Sequence, residues 1–286
     1  MESLHIGTCS WKYDSWRGLV YSDAAKANYL SEYALKYDCV EVDQWFWSLY
    51  GSEKVVLPQR RVVAEYAASV PERFRFAIKL PNAITLTHVR PATKGGTLAP
   101  NPQFLSVPLL ESFLEKIEPL RSRLGPLMFQ FEYLNRQKMP SEADFLQALG
   151  GFVPHLPPEY TWCVESRNPN YLNERYFAFL RDHGLSHVFL HGYYMPSIFE
   201  VYGKHADLLG DTVVIRLHGP DREGMEERTA GDWSKIIEPR DADLEALAAM
   251  VKDLRVRRRT IWLLVNNHFE GCAPLTIQRV IARLGI

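Results

Sequence analysis

Apolar and β-branched residues gather in eight short runs along the chain, at 5–9, 39–43, 73–79, 126–131, 161–165, 187–190, 212–217 and 260–265. Most of these runs are near-continuously apolar rather than alternating, which is the pattern of parallel strands covered on both faces. Between them, apolar positions recur with a helical period over 24–37, 53–69, 107–124, 142–150, 172–183, 241–257 and 274–284, and more weakly over 197–209. Gly125 follows the third of these helices and suits a left-handed C-terminal cap. Ser141, with Asp144 three residues on, and Asp241 read as helix starts. Eight strands alternating with about eight helices predict a single (β/α)8 TIM-type barrel over 1–286, closed by right-handed crossovers. An open, doubly wound sheet is the alternative, but no G-x-G-x-x-G fingerprint follows the first strand.

Composition narrows the classes of function. The net charge is -1, so the chain lacks the basic excess of a protein that coats nucleic acid. No apolar run approaches the roughly 20 residues that cross a bilayer, and Met1-Glu2-Ser3-Leu4-His5 does not begin like a secretory signal. A cytoplasmic location is expected, with no membrane partner. Cys9, Cys39, Cys163 and Cys272 are scattered and form no C-x-x-C pair, so buried, reduced thiols are expected rather than disulfides or structural zinc.

The chemistry concentrates where strands end. Side chains at i and i+2 of a strand share a face. Glu41/Asp43, Glu165/Arg167 and Arg216/His218 are polar pairs at that spacing. The outward face of a barrel strand meets apolar helices, where an unpaired charge costs several kcal/mol, so these pairs should point into the barrel mouth. Lys79, Gln130, His191 and Asn267 end four further strands and can join them. The plainer alternative is an ion-pair network, since Glu41, Asp43 and Glu165 balance Lys79, Arg167 and Arg216 without any ligand. Two long connections, 82–105 with Pro91, Gly95 and Gly96, and 219–239, leave the same C-terminal strand ends, where barrel enzymes build lids and sites. Trp11, Tyr13 and Trp16 follow the first strand, and Trp45, Phe46 and Trp47 the second; they either stack on a sugar or nucleobase or seal the rim as core. The basic run from Arg255 to Arg259 lies at a helix C-terminus, where cations suit the dipole. His183 and His187 fall near the bottom of the barrel and take no role.

At these residues the chain resembles the YecE-like domain of unknown function 72 family. The matching segments are Ile6-Gly-Thr-Cys-Ser-Trp-Lys-Tyr13 with Trp16-Arg-Gly18, Val40-Glu41, Phe76-Ala-Ile-Lys79 with Thr87-His88, Leu124-Gly-Pro-Leu-Met-Phe-Gln130, Val164-Glu165-Ser-Arg167, Arg216-Leu-His-Gly219, and Asn266-Asn267 with Ala273. The resemblance implies a (β/α)8 barrel and supplies no reaction. It departs from the family pattern at Asp43-Gln44-Trp45-Phe46-Trp47, Phe131-Glu132-Tyr133 and Arg167-Asn168-Pro-Asn-Tyr171, as a divergent branch with a retained polar centre would.

The expected function is an enzyme, a hydrolase or lyase, acting on a small polar ligand that is anionic or sugar-like, with phosphate or sugar groups suited to the mouth. Metal-free acid–base chemistry would use Glu41, Lys79, Glu165 and His218, with no metal or cofactor assigned. Trp11, Tyr13, Trp16, Asp43, His88, Gln130, Arg167, Arg216, Asn266 and Asn267 would bind the ligand. Arg167 and Arg216 can clamp a carboxylate or phosphate bidentately. Two carboxylates would serve a glycosidase, and a Schiff-base lyase would use Lys79. The alternatives are a metal-dependent phosphodiesterase or nucleic-acid-binding protein like the endonuclease IV barrels, with Glu41, Asp43, Glu165 and His218 as ligands, and a non-catalytic metabolite-binding protein. Nucleic acid is the less favoured partner, because the cations would repel a metal and the chain is not basic.

Overall fold

A computed structural model describes residues 3–23, 28–51, 54–89 and 97–286. Eight parallel strands close into a barrel: β1 (Leu4–Thr8), β2 (Cys39–Val42), β3 (Arg75–Lys79), β4 (Leu124–Phe131), β5 (Trp162–Ser166), β6 (Ser186–Gly192), β7 (Thr212–Gly219) and β8 (Thr260–Val265). Each strand pairs with its sequence neighbours, and β1 closes the ring on β8, with Leu4 opposite Ile261 and Thr8 opposite Val265. The α-helices that follow the strands are α1 (Tyr29–Tyr33), α2 (Arg60–Ala68), α3 (Val107–Ile117), α4 (Glu142–Phe152), α5 (Glu174–Asp182), α6 (Ile198–His205), α7 (Arg222–Thr229), α8 (Asp241–Val256) and α9 (Ala273–Leu284). This is the (β/α)8 barrel expected from the alternation of apolar runs. No helix among the described residues is long and apolar enough to cross a membrane.

Two cores follow from the pleat. One lies between strands and helices. The other fills the barrel and takes Cys9, Cys39, Ala77, Met128, Cys163, Val188, Val214, Trp262 and Leu264, at least one from each strand or the residue just after it. All four cysteines are free and buried, and three of them belong to this interior layer. Gly125 is part of β4 rather than a helix cap, because the six-membered ring of Trp262 occupies its Cβ position: a Cβ there would stand 2.3 Å from the indole. The helix before it also ends early. Pro119 cannot donate to the α-helical ladder, and residues Glu118–Arg123 tighten into a 3-10 turn.

Other boundaries move for similar local reasons. The helix expected over 53–69 starts only at Arg60, two residues beyond Pro58, whose ring keeps the preceding residue extended. Before it, Lys54–Val55 pairs with Leu49–Tyr50 as a small hairpin. Of the helix expected over 24–37, Tyr29–Tyr33 is α-helical, and residues 24–27 lie outside the described residues. Ser141 caps α4 by accepting from the Asp144 amide at 3.2 Å, as expected. Asp241 opens α8 from inside its first turn, with Arg240 at the cap position. The connection 82–105 holds the helical turn Asn82–Thr85 and a hairpin of His88–Val89 with Ala99–Pro100; Pro91, Gly95 and Gly96 lie outside the described residues. The connection 219–239 contains α7, which the sequence pattern missed because Met225 is its one buried apolar side chain. Asp221 caps α7 through the Gly224 amide at 2.9 Å.

Candidate functional site

Two residues beyond the apolar interior layer, the same pleat delivers polar groups. Cys39, Ala77, Met128, Cys163 and Val214 face the barrel axis, so Glu41, Lys79, Gln130, Glu165 and Arg216 face it one step nearer the C-terminal end. Arg216 is the hub. It donates from Nε to Glu41 Oε2 at 2.8 Å and from Nη2 to Glu41 Oε1 at 2.7 Å. Its Nη1 donates to Gln130 Oε1 at 3.2 Å and, more closely, to Glu165 Oε2. Arg167 donates from Nε to Glu165 Oε1 at 3.0 Å. Glu41, Glu165 and Arg216 are each 1% exposed or less. Moving such charges out of water costs several kcal/mol apiece, and only geometry of this completeness returns it.

The two carboxylates feel different fields. Burial alone would raise the Glu165 carboxyl, but Arg216, Arg167 and Lys79 outweigh it and hold it down at about 2. Burial pushes the Glu41 carboxyl up, against the opposing pull of Arg216 and Lys79. Both acids lie beneath the floor of the mouth, pinned to arginine, rather than facing the open space.

Above this layer is a cavity of about 320 Å³. Lys79 closes one side, with Nζ 3.3 Å from Gln130 Oε1 and 4.3 Å from the centre of the Phe46 ring. Burial and the neighbouring Arg216 pull its amine below the ordinary lysine range. Asn82 fixes the segment that carries Phe46 and Trp47: its Oδ1 accepts from the Ser48 and Leu49 amides at 2.9 and 3.0 Å. His218 lies 3.2 Å from the Tyr193 hydroxyl through Nδ1 and 3.7 Å from Cys9 Sγ through Nε2. Burial, then Arg216 and Arg167, push its pKa well below the usual histidine value, so the imidazole is neutral. The Cys9 thiol is pushed up by burial and by Glu41, which makes it a poor nucleophile despite its histidine neighbour. Tyr13 also faces the cavity, and burial and Asp43 push its hydroxyl up, keeping it a proton donor.

The β6 and β7 ends are held by glycine. The register shifts between His191 and Gly192, and Gly192 then pairs with Gly219. Gly192 has φ +133°, and a Cβ on it would stand 2.2 Å from the Gly219 carbonyl oxygen. Tyr193 follows with φ +55°, which turns its ring under the Arg167 guanidinium at 5.3 Å. Gly192→Ala is therefore expected to lower unfolding stability by about 3 kcal/mol and to displace Tyr193. Urea unfolding checks this, and a variant within about 0.5 kcal/mol of wild type would show that the backbone relaxes freely.

Of the residues singled out in the sequence, Tyr13, Asp43, Phe46, Trp47, Lys79, Gln130, Arg167, Arg216, His218 and Asn266 line this cavity, and Glu41 and Glu165 brace its floor. Others do not converge there, among them Trp45, which stacks on Tyr66. Trp16 is fully buried and stacks obliquely on Tyr13 at 4.6 Å, so it supports the wall from behind. Trp11, 2% exposed, lines a separate groove beside Tyr66. His88 sits in the hairpin after β3 and bonds Thr87 Oγ1 at 3.0 Å. Asn267 accepts from the Ala273 amide at 2.8 Å and so shapes the start of α9. His191 alternates with the inward Leu190 and faces the helices, 3.5 Å from Asp243. The cavity also takes Asn82, Leu86, Glu132, Tyr193, Arg222 and His268, which sequence reasoning missed. Glu132 and His268 were legible in principle, each two residues beyond a recognised position. Tyr193 and Arg222 were not, because a register shift and an unforeseen helix place them.

Among the described residues, no three His, Cys, Asp or Glu side chains are grouped to hold a metal ion. The acids that a metal centre would need, Glu41 and Glu165, are engaged by arginines.

A family model described as "Protein of unknown function DUF72" matches residues 5–286. The chain belongs to the DUF72 family. The UPF0759 protein YecE of Escherichia coli K12, a curated relative, is 27% identical over 168 residues, 59% of this chain and 50% of that protein. The chain thus spans about half the length of the curated relatives it matches. Among solved structures, a DUF72 family protein of Enterococcus faecalis V583 is similar with a TM-score of 0.68 and 20% identity, over 99% of this chain and 96% of that one. A DUF72 family protein of Thermotoga maritima gives 0.66 and 19%, over 98% and 99%. These likenesses share the barrel with this DUF72 chain.

Proposed function

We propose that the mouth of the barrel is an active site for a small, polar, anionic ligand, phosphate-bearing or sugar-like, worked by metal-free acid–base chemistry. The observation that carries this reading is the division of labour among the charges. Glu41 and Glu165 are consumed by Arg216 and Arg167, which leaves Asp43, among the described residues, as the unpaired acid of the wall beside two arginines with unused hydrogen-bond capacity. Arg167 spends Nε on Glu165, and Arg222 spends Nε on Glu226 at 2.9 Å. The terminal Nη groups of both make no hydrogen bond among the described residues, and both arginines line the cavity. Two such forks suit a carboxylate or phosphate. Asp43 and the face of Phe46 line the same space and suit hydroxyls and the body of a sugar-like ligand.

The catalytic roles then move from those the sequence favoured. Glu41 and Glu165 position Arg216 and Arg167. Lys79, whose amine is pulled below the ordinary lysine range, is the acid–base group, and the neutral His218 imidazole supports it by holding the Tyr193 hydroxyl. A thermal-unfolding screen with inorganic phosphate, citrate, sugar phosphates and neutral sugars tests the reading. Anions are expected to stabilise the protein by about 2.7 kcal/mol at a hundredfold excess over Kd, and Arg167→Gln should remove most of that effect. Stabilisation by neutral sugars alone would overturn the anionic assignment.

A further inference from the structure

Lys79 is placed unlike a structural lysine. It is the last residue of β3, lies in the cavity wall at 8% exposure, and makes no ion pair with a carboxylate among the described residues. Glu41 and Glu165, in the same layer, are both engaged by Arg216, and Asp43 in the cavity wall acts on the amine without pairing with it. The only hydrogen-bond partner of Lys79 among the described residues is the Gln130 amide oxygen, and the Phe46 ring covers one flank. By contrast, Lys138 in the rim is paired with Glu132 at 2.6 Å. A buried amine that pairs with no carboxylate among the described residues and shares a small cavity with arginine forks is the arrangement of a nucleophile rather than a brace.

We propose that Lys79 forms a Schiff base with a small carbonyl compound that carries a carboxylate or phosphate group. This rests on the anion site described above and goes beyond it by naming the reactive group and the bond formed. The amine lone pair on Nζ adds to the carbonyl carbon, and the C=O π electrons move to oxygen. One Nζ proton passes to that oxygen, giving a carbinolamine. A second proton from a wall donor then lets the C–O bond break; water leaves, and the nitrogen lone pair closes the C=N bond. The sum is amine, carbonyl and one proton giving iminium and water. The iminium withdraws electrons from the neighbouring carbon, so the chemistry it serves is cleavage or formation of an adjacent C–C or C–H bond.

The wall supplies the remaining parts. Tyr13 and Tyr193 are hydroxyl donors that burial keeps protonated, and Tyr193 shares a hydrogen bond with the neutral His218. Arg167 and Arg222 hold the anionic end of the ligand. Burial and Arg216 favour the free amine of Lys79, and each unit of pKa depression raises the free-base fraction at neutral pH about tenfold. The cavity, about 320 Å³, is at the small end of ligand pockets, in keeping with a metabolite of a few carbons.

The test is reductive trapping on the full chain. The protein is incubated separately with pyruvate, glyceraldehyde 3-phosphate and pyridoxal 5′-phosphate in the presence of cyanoborohydride, and the modified lysines are mapped by peptide mass spectrometry. With at least one probe, Lys79 is expected to label at least about tenfold faster than any other lysine, and inorganic phosphate should suppress that labelling. Arg167→Gln, which leaves Lys79 in place, should slow it as well. As a second measurement needing no variant, the wild-type labelling rate at Lys79 should plateau at lower pH than that of exposed lysines. Labelling spread evenly over surface lysines with all three probes, while phosphate still protects the fold, would overturn the Schiff base and leave the anion site standing. If phosphate gives no protection either, both readings fall.

Discussion

Arg216→Met is expected to destabilise the protein by about 3–5 kcal/mol, because it strands the buried Glu41 carboxylate and leaves Glu165 with Arg167 alone. Wild-type Arg216 satisfies both oxygens of Glu41 and one of Glu165 in a layer that water does not reach. Methionine fills most of the volume, so the loss measures the uncompensated charge rather than a void. The deficit should depend on pH with a definite sign. Without Arg216, burial holds the folded-state pKa of Glu41 above its unfolded value with only Lys79 to oppose it, while Glu165 keeps Arg167. The Glu41 share of stability is then present at low pH and is lost as pH rises through the raised folded value, so the variant should compare best with wild type in mild acid. A triple variant, Glu41→Leu, Glu165→Leu and Arg216→Met, should recover most of the loss, since replacing a whole buried ion cluster by apolar side chains is often neutral or stabilising. Urea unfolding of wild type, single and triple variants decides this. A single variant within about 1 kcal/mol of wild type would show that the cluster is hydrated and that the floor is not the closed layer described here. A stable triple variant that no longer binds anions would show that the charges are kept for function.

Mild acid should weaken the fold through His187, and His187→Leu should remove that sensitivity. His187 is buried in β6 among Phe177, Phe189 and Tyr176, and shares a 3.2 Å hydrogen bond with the Tyr176 hydroxyl. Burial lowers its pKa to about 3, opposed by Glu165 and assisted by His205. In the unfolded chain the ring titrates near 6.5. Below that pH the unfolded state takes a proton that the folded state refuses, so stability falls as pH falls, from about 6.5 down to about 3. Two pH units below 6.5 correspond to roughly 3 kcal/mol from this one group. Other groups titrate in the same range, Glu41 in the opposite direction, so the quantity to measure is the difference in unfolding free energy between wild type and His187→Leu at pH 7 and pH 4.5. An unchanged difference would mean that the ring is protonated in the fold and that its aromatic surroundings are open to water.

Most of the barrel was legible because its signal is local. Each parallel strand is an apolar run of its own length, and all eight runs lie within two residues of the observed strand ends. The same pleat that made the runs visible carried Glu41, Lys79, Gln130, Glu165 and Arg216 into one layer, with His218 one step above it. Where reading failed, a non-local contact or a local break decided. Gly125 looked like a cap until the ring of Trp262, far along the chain, filled its empty flank. His191 and Asn267 ended strands but turned to other partners, Asp243 and the start of α9.

The sequence by itself determined the architecture, the identity of the polar layer and its near balance of charge, since period-two patterning and side-chain chemistry are properties of short segments. Only the tertiary structure decided which charges neutralise one another. Arg216 of β7 could have faced Asp43 as readily as Glu41 or Glu165, and closing the barrel set the strand positions that gave it the two glutamates. That choice took Glu41 and Glu165 out of the cavity and left Lys79 in no ion pair among the described residues. Pairing among residues far apart in sequence depends on distances of a few tenths of a nanometre, and those exist only once the ring of strands has closed.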